Sequence, residues 1–512
     1  MIGVFICTCG NRLLTKAGAA RLSAGIPARA VFTHESLCSK AGIGFIRAAV
    51  SRKGLTKLVV AGCRAVGADA FARSVSKQAA PGSGAYIPIF MGKNSANRAA
   101  ASIRRAVAAL EITPDFPVKT VPLRQEVLVI GGGTAGRETA GKIAALGYPT
   151  TIVEKASRIG GAAASDQTAG GDHGLPSGVE ILTDTRVASI SGGVGNFSAA
   201  LAHGREVVTR GFGAIVIATG VAMRKKDGWP FVGGKIIPLS ELEEHIAALP
   251  RHGLPRSLAI LLDMESDETK AGAETAFRAC LSLREHYRGS LTVVLRDVRV
   301  SGLGLEKLYD EARMAGVAFV TYGGKPSLRV NEAAVELCAR DGVLGDEVQM
   351  GFELVAVSSY GLSAPADGEL AETAGISLDA LLHMQENNIH LLPDQSNRPG
   401  IFLVGSCRGE DSRENIRRDA KNAALSVHSL LSEKTMEVEL SHAVVDGDKC
   451  ALCLTCVRSC PFKAMGILAE EKRADCAPEA CRRCGLCAGE CPNKAITLPA
   501  YSEAILLARA GV

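Results

Sequence analysis

Several common functions need residues that this sequence has little of. Aromatic residues make up only 4% of its 512 residues, too few for the stacking platforms that hold single-stranded nucleic acid. A net charge of +5 is small for this length and argues against a DNA-binding surface. The one locally basic run, Arg413 to Lys421, reads as a solvated helix face. No apolar run reaches the roughly 18–20 residues of a membrane helix. Met1 to Cys7 shows neither a basic n-region nor a cleavage pattern and reads as a buried strand. The ten histidines form no H-x3-H or H-E-x-x-H pattern. None is nominated as a ligand or base, and no catalytic acid or base is assigned.

Cysteine, by contrast, is abundant. There are 16, and nine lie between Cys450 and Cys491. Without a secretion signal, this usage points to the reducing cytoplasm and to metal ligation, not disulfides. Cys450, Cys453, Cys456 and Cys460 precede Pro461; Cys481, Cys484, Cys487 and Cys491 precede Pro492. Both runs read C-x2-C-x2-C-x3-C-P, the ligand pattern of two-cluster ferredoxins, in which the fourth cysteine serves the other cluster. The expected ligand sets are Cys450, Cys453, Cys456 and Cys491 for one [4Fe–4S] cluster, and Cys481, Cys484, Cys487 and Cys460 for the other. Zinc sites use C-x2-C pairs, not such quartets. Cys476 is a spare beside the second run, read as a loop thiol with an alternative ligand as the other reading. The two runs, 31 residues apart, are the only clear internal repeat.

The length suits about three domains. Residues 1–115 read as a small α/β unit, with strands ending at Cys7 and Cys63. Thr113 to Pro117 and Pro122 mark a linker. Residues 124–434 alternate strands and helices as a doubly wound sheet would, with residues 228–345 as an inserted α/β stretch. Residues 436–499 form the ferredoxin module, and 500–512 a short tail.

The second unit opens on a nucleotide fingerprint. Val127 to Ile130 reads as a strand; Gly131-Gly132-Gly133-Thr134-Ala135-Gly136 follows and leads into a helical run. Gly131 permits the tight turn, Gly133 lets backbone approach a pyrophosphate at the helix N-terminus, and Gly136 lets helix and strand pack closely. The next strand ends at Glu154, set for an adenosine ribose hydroxyl, with Lys155 beside it. Gly160 and Gly161 extend the pattern toward FAD enzymes. So does the strand Ala214 to Ala218 with Thr219 and Gly220. Gly400 to Gly405, followed by Ser406, is the segment that holds a ribityl chain in such enzymes. FAD is the preferred ligand over an ordinary NAD site or a vacant relic. The inserted stretch lacks a second glycine fingerprint, and Asp263 to Asp267 is acidic where a second pyrophosphate would sit.

Cys7, Cys9, Cys38 and Cys63 are the right number for a third [4Fe–4S] cluster, with simple packing of small thiols as the alternative. Cys407 follows the ribityl strand and has no partner cysteine adjacent in sequence; it reads as packing, as do Cys280 and Cys338.

Together these features resemble the A-type subunit of heterodisulfide reductase and the A-type flavoprotein of quinone-interacting oxidoreductase complexes. The resemblance spans nearly the whole chain: Cys7-Thr8-Cys9-Gly10, Val60 to Cys63, the glycine turn, Gly193 to Phe197, Asp297 to Tyr309, Gly400 to Gly405 and both cysteine runs. It implies an α/β architecture: a thioredoxin-reductase-like FAD domain with an inserted α/β subdomain, a small N-terminal α/β domain and a C-terminal two-cluster ferredoxin module. It favours the N-terminal cluster. Three features differ. Residues 162–190 hold no cysteine where many relatives carry an inserted ferredoxin module. Asp263 to Lys270 replaces a cysteine-rich segment. Gly405-Ser406 stands for the usual Gly-Asp, so that Ser406 offers a hydroxyl instead of a carboxylate.

The resemblance implies an oxygen-sensitive subunit carrying electrons between FAD and the clusters, with flavin bifurcation left open. Substrate reduction then belongs to another polypeptide, such as a B/C-type pair. An electron-input subunit or soluble ferredoxin is the other partner, and a homodimer is compatible. Two other readings stand beside it: a self-contained NAD(P)H-dependent oxidoreductase, and a non-catalytic cluster-bearing scaffold or redox sensor.

Overall fold

A computed structural model describes residues 1–28, 30–63, 84–88, 95–161, 178–220, 222–224, 234–250, 253–262, 270–298, 300, 302–358, 360–362, 365–379, 382–388, 392–409 and 413–511. The chain divides into two units: Met1–Pro122 with Thr435–Val512, and Leu123–Lys434.

In the first unit, four parallel strands run in the order Ala30–His34, Ile2–Cys7, Lys57–Gly62, Gly84–Pro88. Ile2–Cys7 and Lys57–Gly62 are apolar on both faces, as central parallel strands must be; Val4, Phe5, Ile6, Val59 and Ala61 are fully buried. Helices Lys16–Ala24, Lys40–Lys53 and Ser95–Ile112 connect and flank these strands. Ser39 starts the second helix by accepting from the Gly42 amide at 3.0 Å.

The stretch read as a linker is partly a strand. Val118–Pro122 pairs antiparallel with Thr435–Glu439 across the whole intervening chain. Its prolines sit where a ladder tolerates them: Pro117 lies just before the strand and Pro122 ends it. The expected tail is also ordered. It forms the turn Pro499–Tyr501 and the helix Glu503–Ala510, which packs on Ser95–Ile112. There Ile505 is buried, and Arg105 donates to the Ala510 carbonyl at 3.4 Å.

The cysteine-rich end is built from two short ribbons. Val444–Val445 pairs with Ile496–Thr497, and Met465–Leu468 with Arg473–Cys476. Its core is small: alanines, cysteines, Met465 and Ile496. The backbone repeats the sequence repeat. Leu452 and Arg483, Leu454 and Gly485, and Lys463 and Lys494 are pairs 31 apart, and all six have positive φ, between 49° and 83°.

The second unit holds two seven-stranded sheets. The first runs Glu386–Asn388, Leu392–Ser396, Ile401–Leu403, Ala214–Ile217, Val127–Ile130, Thr150–Val153, Val179–Leu182; its last five strands are parallel. An antiparallel meander, Thr185–Gly193, Asn196–His203 and Glu206–Phe212, packs into its core. The second sheet runs Ile236–Pro238, Leu354–Val357, Ser257–Leu261, Ser290–Leu295, Ala318–Val330, Val335–Asp341, Glu347–Phe352. This inserted sheet therefore continues to Val357, past residue 345. Leu354–Val357 is its second strand, and all four of its residues are buried.

Candidate functional site

The glycine turn of the second unit is tight for reasons its backbone makes plain. Gly131 has φ +108, and a Cβ there would lie 2.4 Å from the Ala218 carbonyl oxygen. A Cβ on Gly136 would lie 1.8 Å from the Gly131 oxygen. Both glycines are thus required by the protein itself. Gly133 differs. It caps the helix Thr134–Ala145 in an extended conformation, φ −72 and ψ −172, that any residue adopts. Among the described residues, a Cβ there would meet only Gly161 Cα, at 4.0 Å. The open space is in front of the helix N-terminus, where backbone amides favour an anion.

The other expected residues gather at the same end of the sheet. Glu154 ends the neighbouring strand; its carboxylate accepts from the Gly132 amide at 2.8 Å and the Ala156 amide at 2.9 Å. It therefore braces the glycine turn, with lone pairs to spare for a hydroxyl. The Gly160 amide donates to the Gly132 carbonyl at 2.9 Å, and Lys155 is exposed. The Thr219 hydroxyl is buried and makes no hydrogen bond among the described residues, and Thr219 Cα lies 3.0 Å from where a Gly131 Cβ would be. Gly220 has φ +70, and no described atom lies within 4 Å of where its Cβ would be. Gly405, at φ +75, abuts Ala135: its Cβ would lie 2.9 Å from that methyl. Ser406 follows it in the turn Gly405–Arg408. The room before Gly133 and the orphaned Thr219 hydroxyl fit a dinucleotide such as FAD.

Sequence reading missed a buried charge network behind Gly405. Asp419, on the helix Arg413–Leu431, accepts from the Gly405 amide at 3.3 Å and from Arg408 Nε at 2.9 Å. Arg408 Nη1 also donates to Glu386 at 3.1 Å. Burial works against the Arg408 charge, but Asp419 and Glu386 outweigh it and hold its pKa above the ordinary value. On the same helix, Arg413, Arg417, Arg418 and Lys421 are exposed. The Gly193 to Phe197 element is a joint: Arg398 lies over the Phe197 ring at 5.4 Å and donates to the Gly192 carbonyl at 2.8 Å. Cys407 is buried and donates to the Val404 and Ile217 carbonyls at 3.3 and 3.4 Å. Cys280 lies in the core of the inserted sheet and Cys338 is half-buried on a strand. The acidic stretch 263–269, which bears on a second nucleotide site, lies outside the described residues.

In the cysteine-rich module the eight cysteines line two cavities. One is lined by Cys450, Cys453, Cys456 and Cys491. The other is lined by Cys460, Cys481, Cys484 and Cys487. Each fourth cysteine crosses to the other run's cavity. The crossing residues are held alike: the Ala464 amide donates to Cys460 Sγ and the Ala495 amide to Cys491 Sγ, both at 3.3 Å. Arg482 and Arg483 also line the second cavity, and Thr455 and Asn493 the first; amides aimed at sulfur suit thiolates bearing a cluster. The donor set fits [4Fe–4S] clusters. Two further residues sit at the second cavity. Cys476, on a strand and not in a loop, is buried and lines it. His442, next to the lining residue Ala443, has a buried Nδ1 with no hydrogen-bond partner among the described residues.

In the N-terminal sheet three of the four expected cysteines converge. Cys7 Sγ lies 3.5 Å from Cys9 Sγ. Burial, followed by the neighbouring Cys7 and Cys63 thiols, pushes Cys9 up to about 12. Cys38 stands apart, exposed, with its sulfur 3.7 Å from Ser36 Oγ. Its loop is close, since the Cys7 thiol donates to the Glu35 carbonyl at 3.8 Å. Among the described residues, no helix is long and apolar enough to cross a membrane.

Two family models match parts of the chain. The family described as pyridine nucleotide-disulphide oxidoreductase matches residues 80–231, and that described as 4Fe-4S dicluster domain matches residues 442–492. The chain is similar to the A-type iron-sulfur subunit of the CoB–CoM heterodisulfide reductase of Methanocaldococcus jannaschii, at 23% identity over 91% of this chain and 90% of the relative. It is equally similar, at 23%, to the A-type subunit of the H2/formate:CoB-CoM heterodisulfide,ferredoxin reductase of Methanococcus maripaludis, over 92% of this chain and 91% of the relative. Among solved structures, the thioredoxin reductase of T. acidophilum is 17% identical, covering 60% of this chain and 99% of that one, with a TM-score of 0.43.

Proposed function

We propose, from the premise that this chain is an oxidoreductase related along nine tenths of its length to the A-type subunit of heterodisulfide reductase, that it is the electron-carrying hub of a complex of that kind. What supports the reading is one conjunction: eight cysteines in two crossed quartets, in a chain that also has room for a ligand before Gly133. Bound FAD takes up electron pairs and passes single electrons, and each [4Fe–4S] cluster passes one.

The chain's own residues supply binding and placement. Gly131 and Gly136 set the turn, and Gly133 with Gly161 leaves room for a pyrophosphate on the amides of Thr134, Ala135 and Gly136. Glu154 takes the ribose hydroxyl while bracing Gly132, with Lys155, Gly160, Thr219, Gly220, Gly405 and Ser406 along the rest of the flavin. Cys450, Cys453, Cys456 and Cys491 hold one cluster, and Cys460, Cys481, Cys484 and Cys487 a second. Cys7, Cys9 and Cys63, joined by Cys38 from the adjacent loop, hold a third. The name of the Methanococcus maripaludis relative joins heterodisulfide and ferredoxin. For this chain we propose the corresponding partners: a B/C-type pair that reduces the substrate, and ferredoxin.

The test is flavin, iron and sulfide per chain after anaerobic purification. One flavin with about twelve irons is expected, at four per cluster. Replacing Cys7 and Cys63 by Ala should lower iron by about four; unchanged iron would remove the N-terminal cluster alone. A chain with neither flavin nor iron would sink the whole reading. Glu154→Ala should still fold but release FAD about tenfold more readily, the loss of about 1.4 kcal/mol from a charge-assisted contact. Equilibrium dialysis measures it, and unchanged affinity would take Glu154 out of the site.

A further inference from the structure

The turn Gly405–Arg408 is held from behind by a buried ionic contact. Asp419 takes the Arg408 guanidinium as a fork: Nε donates to Oδ2 at 2.9 Å and Nη2 to Oδ1 at 3.3 Å. The same Oδ2 accepts from the Gly405 amide at 3.3 Å. Glu386 takes Nη1 of Arg408 at 3.1 Å. All three side chains are at most 13% exposed. A buried ion pair adds little stability over apolar side chains of the same volume. What a forked pair does supply is fixed geometry, because two parallel contacts set distance and angle together.

That geometry bears on the ligand site. Gly405 is wedged between two helices: a Cβ there would lie 2.9 Å from the Ala135 methyl and 3.7 Å from Ile416 Cγ1. Ala135 is the second residue of the helix Thr134–Ala145, and Ile416 lies one turn before Asp419 on its own helix. The turn is therefore set in register against the helix whose N-terminus offers amides to a pyrophosphate. Of the other turn residues, Cys407 is buried, with its thiol donating to the Val404 and Ile217 carbonyls, and Arg408 is committed to Asp419 and Glu386. The Ser406 side chain takes no part in these contacts and is half-buried.

We propose that Asp419 is a positioning residue for the flavin: by holding the Gly405 amide and Arg408 together, it fixes the turn that presents the Ser406 hydroxyl to the ribityl chain. Asp419 acts through Gly405 and does not itself touch the ligand. This rests on the flavin reading proposed above.

The test is a double-mutant cycle on FAD affinity in the full chain, measured by anaerobic equilibrium dialysis, with a melting curve for each variant. Ser406→Ala should weaken binding about tenfold in the parent, the loss of one hydrogen bond. In an Asp419→Ala chain the same change should cost less than about twofold, because residues that act as a unit are non-additive. Glu154→Ala, which shares no contact with this network among the described residues, should cost the same in both backgrounds. Should Asp419→Ala fail to fold, Asp419→Asn, which keeps the volume but not the charge, carries the same cycle. A brace that serves the fold alone would lower the melting temperature and leave the Ser406→Ala loss equal in both backgrounds, which would overturn the proposal. So would a Ser406→Ala chain of parental affinity. A parent chain that binds no FAD would instead overturn the flavin reading.

Discussion

Gly133→Val is expected to yield a folded chain that no longer retains flavin. The argument rests on the contrast among three glycines in one turn. At Gly131 and Gly136 a side chain would collide with backbone at 2.4 and 1.8 Å, so substitution there damages the fold itself. At Gly133 the first added carbon finds its nearest neighbour among the described residues at 4.0 Å, and the backbone is ordinary. The folded chain loses only some helix capping, about 1 kcal/mol. The pyrophosphate, however, needs that space to reach the amides at the helix N-terminus. Affinity should fall by at least about a hundredfold, or roughly 3 kcal/mol. Flavin absorbance after gel filtration, alongside a melting curve, separates the two effects. Flavin retained at parental affinity in a folded Gly133→Val chain would remove the assignment. Gly131→Val should instead lower the melting temperature.

The second large effect concerns which cysteines act together. With the crossed grouping, Cys460→Ala should empty the cavity of Cys481, Cys484 and Cys487, leaving about four of the module's eight irons. Adding Cys484→Ala should change nothing more, because both residues serve one site. Adding Cys456→Ala instead should remove the remaining iron. A grouping by sequence, with Cys460 serving its own run, predicts the opposite pattern. Residues that act as a unit are non-additive and residues of separate sites add, so iron content in the two double variants decides between them. Alanine is used because a serine oxygen can still bind iron. Deleting the whole module would be a poorer experiment: the chain beyond it forms the helix Glu503–Ala510, which packs on the N-terminal Ser95–Ile112.

What was legible in the sequence is what lies within one turn of chain. The glycine turn and each cysteine run are contiguous, and their spacing is itself the geometry. The crossing of Cys460 and Cys491 is not contiguous; it was read from the pattern, and the cavities are lined accordingly. What stayed illegible joins distant segments. Asp419 bonds Arg408 and the Gly405 amide from a helix whose exposed face is basic. In sequence it looks like one more charge in a solvated run. The strand Val118–Pro122 looked like a linker because its partner lies beyond the entire second unit. The exposed position of Cys38 is also invisible to a count of cysteines.

The ribbon of Val118–Pro122 and Thr435–Glu439 has a bearing on the order in which the chain folds. Everything from Leu123 to Lys434 is a loop closed by that ribbon. With this loop disordered, bringing its ends together costs roughly 5 kcal/mol of chain entropy by the logarithmic law for loop closure. Once the loop has folded, its ends already lie side by side, since the Leu123 amide donates to the Lys434 carbonyl at 2.8 Å. The ribbon then forms at little further entropic cost. Completion of the unit made from the two chain termini is thus favoured late, after the flavin-type unit has acquired its shape. A destabilised central unit would be felt as slow or incomplete closure of the outer one.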